Sequence, residues 1–170
     1  MRRMLAFALI LMWSLPCLAQ EDKELVAQQS VVIRANVEAV WELVKDFDAL
    51  PTWHPAFKDA VIKSGEANTK GTVRTLTLQS DESFDEELLG FDEQNKTYRY
   101  RIVGDSPFPI IDYVSNMFVT KGRKGTTKVV WQGKFKNKPG SGKTDKEVVE
   151  IIDGAYREGL NNLKMLAERG

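Results

Sequence analysis

The chain has 170 residues, 42% hydrophobic and 28% charged, a globular composition rather than a disordered or membrane-embedded one. Lys plus Arg number 24 and so do Asp plus Glu, so the chain lacks the basic excess by which a nucleic-acid binder neutralises phosphates. A single His and a single Cys exclude zinc sites built from several such ligands, a disulfide framework and any dyad of two histidines.

Met1-Arg2-Arg3 leads into an apolar run from Met4 to Leu15, closed by Pro16-Cys17-Leu18-Ala19. A basic start, an apolar stretch and a small final residue describe a secretory signal peptide, with cleavage expected after Ala19. The stretch falls short of the roughly 20 apolar residues that span a bilayer, so no stable membrane anchor is expected after cleavage. Ser14-Leu15-Pro16 does not place a small residue before Cys17, as lipidation requires. Cleavage removes the only cysteine together with Arg2 and Arg3. What remains, residues 20–170, is expected to be one thiol-free, slightly acidic domain suited to an oxidising compartment, the bacterial periplasm.

Glu21 to Gln29 reads as a polar lead-in, and Ser30 to Arg34 as a strand. Asn36 can cap a helix that carries Val37, Val40, Trp41 and Val44 at helical spacing. Asp46 to Trp53 predicts a second short helix, ended by His54-Pro55 because the residue before proline avoids helical geometry. Strands are predicted over Phe57–Lys63, Gly71–Gln79, Phe84–Phe91, Thr97–Val103, Ile110–Thr120 and Thr126–Phe135. Thr144, with Glu147 three residues on, is a capping box. It opens a long helix to about Glu168, with an apolar stripe of Val148, Ile152, Ala155, Tyr156, Leu163 and Leu166. A curved antiparallel sheet needs cover on one face, and this helix can supply it, leaving a gap able to hold a ligand.

This order resembles the START-like, or SRPBCC, superfamily, the helix-grip (Bet v 1-like) fold of polyketide cyclases and lipid-transfer proteins. Asp46-Phe47-Asp48-Ala49-Leu50-Pro51-Thr52-Trp53-His54-Pro55 is similar to the "dF..lp.WhP" segment of a bacterial subgroup. Gly71-Thr72-Val73-Arg74, Glu86-Glu87-Leu88-Leu89, Asp92, Tyr98-Arg99-Tyr100-Arg101-Ile102, and Ser106-Pro107-Phe108-Pro109 with Tyr113 continue it in order. The resemblance covers about Gln28 to Leu166. It implies an α+β fold, six to seven antiparallel strands around a long C-terminal helix. The subgroup includes exported proteins of the MxaD type, which implies an accessory role in periplasmic methanol oxidation.

Gly140-Ser141-Gly142-Lys143-Thr144 matches the end of a phosphate-binding loop, but Asn137 stands where the full motif needs its first glycine. The one helix that follows leaves no later strand for a magnesium-binding Asp, so a flexible loop and helix cap is the better reading. His54 is the only imidazole; no nucleophile-elbow sequence accompanies it, and a packing role between Trp53 and Pro55 outweighs a catalytic one. Arg74 shares an inward face with Leu76 and Leu78 and falls opposite Glu86 or Glu87. A cross-strand ion pair and an Arg74 that meets a ligand's acidic or carbonyl group are equally open readings.

The residues expected to line the cavity are Trp53, His54, Arg74, Leu76, Glu86, Leu88, Tyr98, Tyr100, Tyr113, Trp131 and Tyr156. No metal, cofactor or catalytic set is expected. The leading function is an exported, non-enzymatic protein that holds a small hydrophobic or amphipathic ligand. The first alternative is an accessory protein modulating a periplasmic dehydrogenase and its cytochrome partner, marked by a filled cavity and an exposed apolar patch around Pro107–Ile111 and Trp53. The second is a cyclase- or dehydratase-like enzyme working through His54 or Glu86.

Overall fold

The computed structural model describes residues 23–169. The expected signal peptide lies outside the described residues. Its elements run β1 (Leu25–Ile33), α1 (Val37–Val44), α2 (Leu50–Trp53), β2 (Phe57–Ser64), β3 (Val73–Leu78), β4 (Ser83–Asp92), β5 (Thr97–Val103), β6 (Ile110–Lys121), β7 (Thr127–Asn137) and α3 (Asp145–Ala167). All neighbouring strands pair antiparallel, in the order β1-β7-β6-β5-β4-β3-β2. Irregularities at Phe57/Asp59, Ile62/Ser64, Leu88/Gly90 and Ile111/Val114 bend the strands that carry them. The curved sheet and its C-terminal helix form the helix-grip arrangement expected from the sequence.

Two boundaries differ from the sequence reading by more than two residues. β1 begins at Leu25, inside the segment read as a lead-in, and pairs with β7 from Leu25↔Phe135 to Ile33↔Thr127. Its polar residues belong to an edge strand tended by the helix. Asp153 of α3 accepts a hydrogen bond from the Gln28 amide, Glu168 at the helix C-cap accepts one from the amide of Arg34, just past β1, and Lys164 donates to the Val32 carbonyl. Unpaired edge groups thus find partners in the helix that grips the sheet. The second short helix shrinks to Leu50–Trp53. Phe47 upstream of it donates its amide to Asn68 Oδ1 and gives its carbonyl to Arg74, so tertiary partners replace helical ones.

α1 is capped by Asn36, whose side chain accepts from the Ala39 amide. α3 starts with the predicted box: Thr144 accepts from the Glu147 amide, and Glu147 from the Thr144 amide. Val148, Ile152, Tyr156, Gly159, Leu160 and Leu163 are its buried face. They meet Trp41, Trp53, Trp131 and Phe135 in one core. Among the described residues no helix is long and apolar enough to cross a membrane.

Candidate functional site

The β3–β4 hairpin sets Arg74 opposite Glu86. Arg74 Nε and Nη2 both donate to Glu86 Oε2, at 3.0 and 2.5 Å, and Nη1 donates to the Phe47 carbonyl. The guanidinium carbon lies 4.1 Å from the Phe47 ring centre and 5.3 Å from that of Tyr100, so both rings offer it their negative faces. Arg74 is 2% exposed and Glu86 4%. Burial pushes the Glu86 carboxyl above its ordinary pKa, while Arg74 pulls it back.

Beside this pair lies a chain of hydroxyls. Trp131 Nε1 donates to the Tyr100 hydroxyl at 2.8 Å and to Ser115 Oγ at 3.0 Å. Ser115 donates to the Gln132 carbonyl at 2.9 Å, which leaves its oxygen to accept from Tyr156 at 3.3 Å. Tyr113 then donates to Tyr156 at 2.6 Å. Burial pushes the pKa values of Tyr100, Tyr113 and Tyr156 up, so all three stay protonated. Gly133 makes this approach possible: a Cβ there would overlap the Tyr156 hydroxyl and come within 3.2 Å of the Tyr113 ring.

His54 closes the other side. Its Nε2 sits 3.0 Å from the Ala155 carbonyl and its Nδ1 receives the Ala56 amide at 3.2 Å, which assigns the proton to Nε2. Burial lowers its pKa to about 4. The ring is neutral near pH 7, with both nitrogens engaged, and rests on α3 where a Cβ on Gly159 would overlap it. This is the packing role, and it leaves His54 poorly placed as a base.

Between these groups is a cavity of about 40 Å³. His54, Glu86, Tyr100, Tyr113, Trp131 and Tyr156 are among the residues that line it. Leu50, Phe57, Phe84, Phe108, Ile110 and Ile152 contribute apolar walls. The space holds about three waters at ~10–15 Å³ each, far below the ~300–1,000 Å³ of ordinary ligand pockets. Ile102, Ile110 and Tyr113 also line a groove on the outside of the sheet, so they partition interior from surface. That partition falls where the β5–β6 ladder stops, at Arg101↔Val114.

Five of the residues expected at the cavity lie elsewhere. Arg74 is held by Glu86, Phe47 and Tyr100 and does not border the cavity, so the ion-pair reading replaces the ligand-binding one for its guanidinium. Leu76 and Leu88 are wholly buried core residues. Tyr98 packs on Trp41, with ring centres 6.2 Å apart. Trp53 meets Trp131 edge-on at 5.5 Å, and its carbonyl accepts from Asn162. The sequence reading missed Phe47, Ser115 and Gly133. Gly133 carried a usable signal, since a glycine between inward Trp131 and Phe135 marks a close approach.

In the Gly140–Thr144 loop, the Thr144 hydroxyl and amide both bond Glu147. The helix start is thus occupied by its own carboxylate, as a cap rather than a phosphate loop. Among the described residues no three His, Cys, Asp or Glu side chains gather as a metal site requires.

The chain is similar to several solved structures. The protein XoxI from Bacillus cereus shares 29% identity over 84% of this chain and 94% of its own, with a TM-score of 0.76. An uncharacterised protein from Bacillus thuringiensis shares 29% over 84% and 98%, also at 0.76. The Zhui aromatase/cyclase from Streptomyces sp. R1128 shares 17% over 86% and 95%, at 0.71, a likeness of fold alone. No curated protein matches the chain. The family model described as polyketide cyclase / dehydrase and lipid transport matches residues 25–168, and the chain belongs to that family.

Proposed function

We propose that this is an exported, non-enzymatic protein that holds a small hydrophobic or amphipathic molecule between sheet and helix. One observation carries the reading: an interior cavity lies between sheet and helix, walled mostly by apolar surface and bordered by Glu86 and three tyrosines. The family description, with its lipid transport, supports a ligand-binding use of the fold. A ligand larger than a few waters requires the cavity to widen, and Ile102, Ile110 and Tyr113 are where interior and outer groove adjoin. Apolar burial at roughly 25 cal/mol per Å² is the main source of affinity. Export rests on the character of residues 1–19 and on the lack of cysteine after them.

Native mass spectrometry of protein from its own host, repeated after denaturation, tests this. The expected result is an added mass that leaves on denaturation. A bare chain that also gains no mass or thermal stability from a panel of small amphipathic compounds would sink the reading.

A second reading, an accessory to a periplasmic dehydrogenase and its cytochrome, draws support from the near-filled cavity. Of the apolar patch expected for it, Trp53 and Ile110 are buried, Phe108, Pro109 and Ile111 half-buried and Pro107 exposed. Among the described residues the large exposed apolar side chains are Val26, Val32, Val61, Val103, Ile151 and Met165, spread over β1, β2, β5 and α3. Co-purification of a dehydrogenase or cytochrome subunit would favour it. A cyclase- or dehydratase-like activity would rest on Glu86, since His54 has both nitrogens occupied.

A further inference from the structure

The polar groups bordering the cavity also select the head group of the molecule it holds, an inference that rests on the ligand-binding function. The donors around the cavity are largely committed. Arg74 gives its hydrogen bonds to Glu86 and Phe47, and Trp131 to Tyr100 and Ser115. Ser115 donates to Gln132, Tyr113 to Tyr156, and His54 to Ala155. Tyr100 accepts from Trp131 and keeps a proton that it can turn toward a ligand.

The acceptor side is different. Both Arg74 bonds land on Glu86 Oε2, and among the described residues none reaches Oε1. The sealed, unpaired side-chain atoms among the described residues are Trp53 Nε1 and Ser106 Oγ. Oε1 is not one of them, and Glu86 borders the cavity. Glu86 lies opposite Ile102, which makes Tyr100 its diagonal neighbour on the same face of β5. Glu86, with its unclaimed carboxylate oxygen, and Tyr100, with its hydroxyl, therefore both border one cavity.

We propose that Glu86 and Tyr100 together recognise an uncharged hydroxyl, an alcohol or a phenol, which donates to Glu86 Oε1 and accepts from Tyr100. A carbonyl or ether would leave Oε1 unpaired in a buried site, which costs more than a bond not made. A carboxylate would meet a carboxylate. An ammonium group would add an uncompensated charge beside an Arg74–Glu86 pair that is already neutral. The sequence left open whether Arg74 pairs with a carboxylate across the strands or meets a ligand's acidic or carbonyl group. In the folded site Glu86 and Phe47 take up the guanidinium.

The test uses purified protein and five probes of matched shape: phenol, toluene, benzaldehyde, benzoate and benzylammonium. Each is titrated while backbone amide NMR shifts are followed at Tyr113, Gly133 and Ile110. Phenol is expected to bind about tenfold tighter than toluene or benzaldehyde, with both charged probes weaker still. Toluene or benzaldehyde equal to phenol would overturn the preference alone, as would benzoate or benzylammonium ahead of it. Silence from all five would overturn the ligand-binding reading and the preference with it. The double variant Arg74→Met with Glu86→Leu removes both charges together and should bring phenol down to the level of toluene. A preference that survives there overturns the assignment to Glu86. The wild-type series decides by itself if the double variant does not fold.

Discussion

Glu86 and Glu87 are neighbours on β4, and each faces an arginine on an adjacent strand. Glu87 meets Arg101 of β5 at 2.6 Å, with side chains 25% and 52% exposed. Glu86 meets Arg74 of β3 at 2.5 Å, with side chains 5% and 2% exposed. The ion pairs are chemically alike, and the alternation of one strand sends them to opposite faces of the sheet. Outside, water solvates each charge whether or not the pair forms, so the pair contributes little. Inside, either charge alone is stranded, and two aromatic rings and a backbone carbonyl have been recruited to hold Arg74. The same two residue types thus decorate a surface in one place and set a glutamate beside a cavity in the other.

The sharpest way to break this comparison is to remove one partner from each pair. Arg74→Met strands a buried carboxylate and is expected to cost about 3–5 kcal/mol in denaturant unfolding. Adding Glu86→Leu should recover much of that loss, since a neutral pair of similar volume replaces the ions. If Arg74→Met costs no more than a surface substitution, the inner pair is not sealed as described.

His54 extends the argument to a group that meets burial by staying neutral. Its pKa is lowered from 6.5 to about 4 in the folded chain. Below about pH 6.5 the unfolded chain takes up a proton that the folded chain refuses. The stabilising contribution of the neutral ring is therefore complete above that pH, falls as pH drops from 6.5 toward 4, and is lost below, up to about 3 kcal/mol in all. Urea midpoints measured across that window should show the slope, and His54→Asn should flatten it. An unchanged slope in the variant would assign the acid sensitivity to other groups.

A smaller effect is expected at the hydroxyl chain. Gly133→Ala presses on the Tyr156 hydroxyl and should cost about 1–3 kcal/mol, with a changed near-ultraviolet circular dichroism from the displaced Trp131–Tyr156 stack. A neutral outcome would mean that the tyrosines can retreat from β7. The smallest effect belongs to the outer pair: Arg101→Met should stay within about 1 kcal/mol and vanish in high salt. A larger, salt-insensitive loss would show that exposure does not separate the two pairs.

Much of the fold was legible before any contact was known. The alternation in Thr97–Val103 and the capping box at Thr144 and Glu147 are local signals, and both elements stand where they were read. The register of the β3–β4 hairpin was legible too, because a short turn leaves few ways to set Arg74 against Glu86 or Glu87. The start of β1 was not legible. A polar stretch becomes a strand only when β7 offers a ladder on one side and α3 supplies acids on the other. The short helix before Trp53 was overdrawn for a related reason, since Asn68 and Arg74 claim the backbone of Phe47 from across the molecule.

By itself, the sequence determined which residues face inward, which strands follow one another and where the long helix begins. Those properties follow from side-chain period, turn chemistry and capping, all of which act within a few residues. Only the tertiary structure decided which inward residues border a space and which fill one. Trp53, Tyr98 and Tyr100 are all buried aromatics, yet only Tyr100 reaches the cavity. The tertiary structure also decided that Glu86 rather than Arg74 borders the cavity. That choice depends on the Phe47 carbonyl and two ring faces converging on Arg74, partners that lie 26 or more residues from it along the chain and meet only when the sheet has closed around the helix.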